Sequence, residues 1–248
     1  MEKKRRKPRV IVKKNYVDMC AAAADFIAAR LTKDKNLVLG LATGGTMESV
    51  YAGLVKKYRA GRLDFSRAKS FNLDEYDGLA KNHRCSYHYF MKENLFKHVN
   101  FKKGAARVPC PATAKNPRAC EKYEEKIRES GGIGLQLLGI GRNGHIAFNE
   151  PGSSFDSRTG MIKLSRSTLK ANSIYFKGAR KMPRRAVSMG IGTIMEAREI
   201  LILASGIKKA AALAAAIKGP VKTKVPASAL QAHPKVTFIL DREAASLL

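Results

Sequence analysis

"NLVLGLATGGTMESVYAGLVKKYRAG", residues 36–61, holds the turn that decides the fold. Its opening run "NLVLGLA" is apolar but too short for an ordinary helix, and it reads as a buried strand. The glycines Gly44 and Gly45 then turn the chain, and from Thr46 onward the pattern is helical. A strand running through a glycine turn into a helix is one step of an alternating α/β chain, which needs parallel neighbours.

Segments of the same kind lie on both sides. "PRVIVKK" (8–14) reads as a strand and "YVDMCAAAADFIAARL" (16–31) as an alanine-rich amphipathic helix. Beyond the central stretch, "AKSFNLD" is a strand, "SYHYFMKENLFKHV" and "ACEKYEEKIRES" are helices, and "IGLQLLGIG" is a strand with a glycine-rich exit. "EILILAS" and "KVTFILD" are further buried strands, separated by the helix "KKAAALAAAIKG" and a helical turn in "PASALQAH". The fold class expected is α/β, a doubly wound, mostly parallel sheet with helices on both faces, Rossmann-like. No repeat or long linker divides residues 1–248, so one domain is expected. Residues 151–189 are the least regular and are expected to form a mobile lid within it.

The 248 residues are 45% hydrophobic, enough for a substantial core. No apolar run reaches the roughly 20 residues of a membrane helix, and the N-terminus lacks the apolar stretch of a secretory signal. A cytoplasmic protein with no membrane partner is expected. Cys20, Cys85, Cys110 and Cys120 lack metal-ligand spacing and read as free thiols, so no metal is expected. Lys and Arg number 47 against 20 Asp and Glu, a net charge of +27. Apart from the run Lys3 to Lys7 the basic residues are scattered. That favours solvated surface and weak, non-specific attraction to polyanions over a specific nucleic-acid site.

In open α/β sheets ligands gather beyond the carboxyl ends of the strands. "TGGT", Thr43 to Thr46, fits an anion held by backbone amides, or equally a plain strand-to-helix turn. "SGIKK", Ser205 to Lys209, repeats the arrangement and adds a cation, although one more lysine in so basic a chain is unremarkable. "NLDEYDG" sets Asp74, Glu75 and Asp77 at a strand end, as a general base or as helix caps. In "GRNGHIAFNEP", glycines turn the chain sharply around Asn143, and His145 and Glu150 flank the apolar "IAF". A histidine held by a carboxylate or amide passes protons near neutral pH.

The strings "FNLDEYDGL", "GHIAFNEPGSSFDSRT", "MGIGTIMEA" and "PASALQAHP" together resemble the family of glucosamine-6-phosphate deaminases and 6-phosphogluconolactonases, over the chain from about Arg9 onward. The resemblance implies conversion of glucosamine 6-phosphate and water to fructose 6-phosphate and ammonia. By the same resemblance Asp74 is the base that takes the C2 proton, and His145 opens the pyranose ring, oriented and tuned by Glu150 and Asn143. Thr43, Gly44, Gly45 and Lys209 correspond to the sugar-phosphate grip. No cofactor is implied, and self-association is left open. Lactonase activity and a non-catalytic sugar-phosphate sensor are the alternatives; regulators of the latter kind carry a DNA-binding helix-turn-helix that the roughly eight residues before the first strand do not supply.

Five positions depart from the pattern. Asn143 stands where many relatives have Asp, Met47 where a proline is usual, and Ile174 where an arginine clamps phosphate. Gly160 and Ile162 replace basic residues that bind an effector in allosteric relatives, and the ending "DREAASLL" lacks their extension, so activation by N-acetylglucosamine 6-phosphate is not expected.

Overall fold

A computed structural model describes residues 8–111, 113, 116–176 and 182–248, excepting the side chains of residues 167, 171, 174 and 175. In chain order the elements are β1 (Arg9–Lys13), α1 (Tyr16–Lys33), β2 (Val38–Leu41), α2 (Gly45–Arg59), β3 (Lys69–Asn72), β4 (Asp74–Tyr76), α3 (Tyr87–Asn94) and β5 (Ala106–Arg107). There follow α4 (Ala119–Glu129), β6 (Leu135–Gly139), β7 (Gly160–Lys163), α5 (Arg166–Asn172), β8 (Arg185–Ser188), α6 (Ile191–Met195), β9 (Ile200–Ala204), α7 (Ala210–Ile217) and β10 (Val236–Asp241).

Seven strands form one sheet in the order β1-β10-β9-β6-β2-β3-β5, and every pairing in it is parallel. The mostly parallel α/β architecture expected from the sequence is the one observed. Every residue of β2, β9 and β10 is buried, which requires cover on both faces of the sheet. Helix α1 supplies part of it. Asn15 caps its start by accepting from the Asp18 amide at 2.9 Å, and Met19, Cys20, Ala23, Ala24, Ile27 and Leu31 form its buried stripe. α1 crosses α2 closely, since a Cβ on Gly53 would stand 2.9 Å from the Cβ of Ala24.

Two departures from the sequence reading matter for the site. "AKSFNLD" is not one strand: β3 stays in the main sheet, and one residue later β4 pairs antiparallel with β8, which pairs antiparallel with β7. Leu73 joins the two sheets, its amide donating to Leu41 at 3.1 Å and its carbonyl accepting from Met189 at 2.6 Å. The segment 151–189, read as irregular, therefore contributes two strands of a second sheet and helix α5. It packs around its own small core of Tyr76, Phe148, Leu164, Phe176 and Ala186. The helix expected over 86–99 breaks at Leu95 into α3 and a 3-10 turn, Phe96–His98.

Candidate active site

From β2 the chain builds outward through β3 and β5, and then returns on the other side through β6, β9 and β10. Strand order thus reverses between β2 and β6, where ligands of such sheets bind. A cleft of about 1470 Å³ opens there. Its walls come from the exits of β2, β6 and β9, from β4, and from the end of α5.

The glycine loop after β6 fixes His145. The Gly141 amide donates to the His145 carbonyl at 2.8 Å, and the Gly144 amide donates to the Gly141 carbonyl at 3.1 Å. Gly144 needs its φ of 83°, a conformation open to glycine at little cost. A Cβ on Gly141 would lie 2.2 Å from the imidazole, so the ring rests on bare backbone. Nδ1 of His145 lies 2.7 Å from Oδ1 of Asn143, while Nδ2 of Asn143 donates to Oε2 of Glu150 at 2.9 Å. Because the amide nitrogen is committed to Glu150, the oxygen facing His145 is an acceptor. Nδ1 then carries the proton and Nε2 holds the lone pair. Burial pushes the imidazole below its usual range, and the neighbouring Lys209 does the same, against the opposing charge of Glu150.

Glu150 sits behind Asn143. Its other oxygen accepts from Ser165 Oγ at 2.9 Å and from Thr168 Oγ1. Burial pushes this carboxyl up, but the bonds from Thr168 and Asn143, the charge of His145 and the bond from Ser165 together hold it below the usual range.

Asp74 opens β4 and is 7% exposed. Burial, and then the charge of Glu75, push it up to about 8. Glu75 itself accepts from the amides of Tyr76, Tyr87 and His88 at 2.8, 2.9 and 2.8 Å, so it organises the start of α3. Asp77 pairs with Arg185 at 3.4 Å. Of the three acids in "NLDEYDG", the one lining the cleft is Asp74.

Gly44 (φ 108°) caps α2, and Thr43, Gly44, Gly45 and Thr46 line the cleft at the start of that helix. Lys209 approaches from a second helical start, Ile207–Lys209, and Nζ donates to the Ile140 carbonyl at 2.6 Å. Burial, and then the charge of the nearby Arg142, push Lys209 below its usual range.

The structure thus brings Thr43, Gly44, Gly45, Asp74, Asn143, His145 and Lys209 to one cleft, with Glu150 one hydrogen bond behind. Sequence reading passed over Tyr76 and Tyr87, whose hydroxyls lie 3.4 Å apart in the cleft wall, and the two hydroxyls that hold Glu150. The Ile174 side chain, Lys177 and the run Lys3 to Lys7 lie outside the described residues. Among the described residues, no three His, Cys, Asp or Glu side chains converge as a metal site would need.

The family model described as glucosamine-6-phosphate isomerases/6-phosphogluconolactonase matches residues 13–239. The chain belongs to that family. Within this isomerase and lactonase family it is 48% identical over 240 residues to a glucosamine-6-phosphate deaminase of Thermoanaerobacter pseudethanolicus, covering 97% of this chain and 95% of that one. It is 47% identical over 242 residues to glucosamine-6-phosphate deaminase 2 of Bacillus subtilis, covering 97% of each. The solved structure of a monomeric glucosamine-6-phosphate deaminase superposes with a TM-score of 0.93 at 40% identity, covering 97% of this chain and 100% of that one. A 6-phosphogluconolactonase from Trypanosoma brucei shares the fold with a TM-score of 0.79 at 21% identity, covering 98% of this chain and 99% of the other.

Proposed function

We propose that this protein is a glucosamine-6-phosphate deaminase of the cytosol, converting glucosamine 6-phosphate and water to fructose 6-phosphate and ammonia. The observation that carries the reading is a buried carboxylate, Asp74, sharing one cleft with an imidazole whose free lone pair is Nε2, on His145. The phosphate binds at the start of α2 with Thr43, Gly44, Gly45 and Lys209, where amide dipoles and an ammonium favour an anion. His145 Nε2 takes the proton of the anomeric hydroxyl and returns it to the ring oxygen, opening the pyranose. Asn143 holds the tautomer that leaves Nε2 free, and Glu150 stabilises the imidazolium formed in passing.

The C2 ammonium of the open chain acidifies the neighbouring C–H bond and draws Asp74 toward its ionised form. Asp74 then takes the C2 proton and gives it to C1; water hydrolyses the resulting ketose imine and ammonia departs. The segment 151–189 acts as the cover, since its helix α5 places Lys170 and Asn172 on the cleft wall, with Phe176 just beyond. A coupled assay for fructose 6-phosphate tests the reading, with 6-phosphogluconolactone run in parallel. In deuterated water the product acquires deuterium at C1. Lactone hydrolysis without any release of fructose 6-phosphate would overturn the proposal in favour of the lactonase.

A further inference from the structure

Arg142 and Asn143 are the two middle residues of the turn closed by the bond from Gly144 to Gly141. Asn143 is committed inward to His145 and Glu150. Arg142 is exposed and lines the same cleft, and among the described residues its guanidinium makes no hydrogen bond or ion pair. Lys209 is anchored to the carbonyl of Ile140, two residues before Arg142 in the same loop. The two cations are close enough for the charge of Arg142 to act on Lys209. Glu243 also lines this end of the cleft, yet no ion pair joins it to Arg142 among the described residues. A guanidinium left unpaired beside a second cation has its planar fork available for an incoming anion, which would relieve the repulsion between them.

We infer that Arg142 is a phosphate-contacting residue of this site, acting with Lys209 on the 6-phosphate of the substrate. The assignment rests on the sugar-phosphate reading above. It is tested by Arg142→Gln and Arg142→Lys, with Arg62→Gln as a control for general charge, because Arg62 is exposed and stands outside the cleft lining. Arg142→Gln should raise KM for glucosamine 6-phosphate about tenfold, as loss of a charge-assisted bond implies. The effect falls on KM rather than kcat, because the phosphate is held alike in ground and transition states. Calorimetry with inorganic phosphate should show a matching loss of affinity, and Arg142→Lys should recover part of both. Unchanged KM and phosphate affinity in Arg142→Gln, or an equal change in Arg62→Gln, would overturn the assignment. Because phosphate binding is read without turnover, a wild type that binds phosphate through Arg142 but does not deaminate would sink the functional reading alone.

Discussion

An exposed aspartate loses its proton near a pKa of about 3.9, whereas burial and Glu75 keep Asp74 protonated up to about 8. Between those values the folded chain binds a proton that the unfolded chain releases, so the contribution of Asp74 to stability declines as pH rises and is lost above the upper value. Asp74→Asn removes that dependence. Its melting temperature should exceed that of the wild type at pH 8 to 9, while kcat falls roughly 10²- to 10⁴-fold for want of a base. Parallel melting curves across pH for the two proteins would refute the first half, and near-normal turnover the second. Wild-type kcat/KM should climb with pH toward about 8 as the free carboxylate forms. Asn143 carries a second expectation. Its amide offers opposite ends to Glu150 and His145, and Asn143→Asp would set two carboxylates side by side. The imidazole pKa should rise, moving the His145 titration followed by NMR to higher pH; an unmoved or lowered titration would refute the electrostatic argument. The strings around Asp74 and His145 made these residues legible in the sequence. The association of Asn143 and Glu150 with His145 was expected from the family resemblance, but which end of the Asn143 amide faces which partner was not, because it depends on how the amide points after the loop has closed.

Helix α5 belongs to the segment read as irregular, and the reason lies in length. β4 has three residues, and β7 and β8 have four each, too few for a period to declare itself. Their order comes from pairing with one another and from the aromatic cluster around Tyr76, which are contacts between distant parts of the chain. The long buried strands and α1 were legible because each carries its own pattern. α5 in turn is tied to the hydrogen-bonded chain of His145, Asn143 and Glu150: Ser165, its cap, and Thr168 both hold Glu150. Thr168→Val keeps the shape of this buried side chain and removes one donor. It should cost about 1 to 3 kcal/mol of stability, read by thermal or denaturant melting. It should also raise the Glu150 pKa, read by NMR of its carboxyl carbon. No change in either would mean the helix is placed by packing alone.

Across the whole molecule the charge of +27 is spread over scattered lysines and arginines rather than gathered by one motif. Binding to DNA or heparin should therefore be weak, independent of sequence, and steeply reduced by salt, which electrophoretic shifts over a salt series would measure. Tight binding to one sequence at physiological salt would contradict it. The order of strands has a further consequence for how the protein is made. In the main sheet β1 has β10 as its neighbour, and their register runs from Arg9 against Thr237 to Lys13 against Asp241. On the ribosome β2, β3 and β6 can find one another while synthesis continues, but β1 must wait until nearly the whole chain has emerged. At about 5 to 20 residues per second that is a delay of tens of seconds, during which Ile11 and the apolar face of α1, which pack on the core in the finished fold, need shelter from other nascent chains.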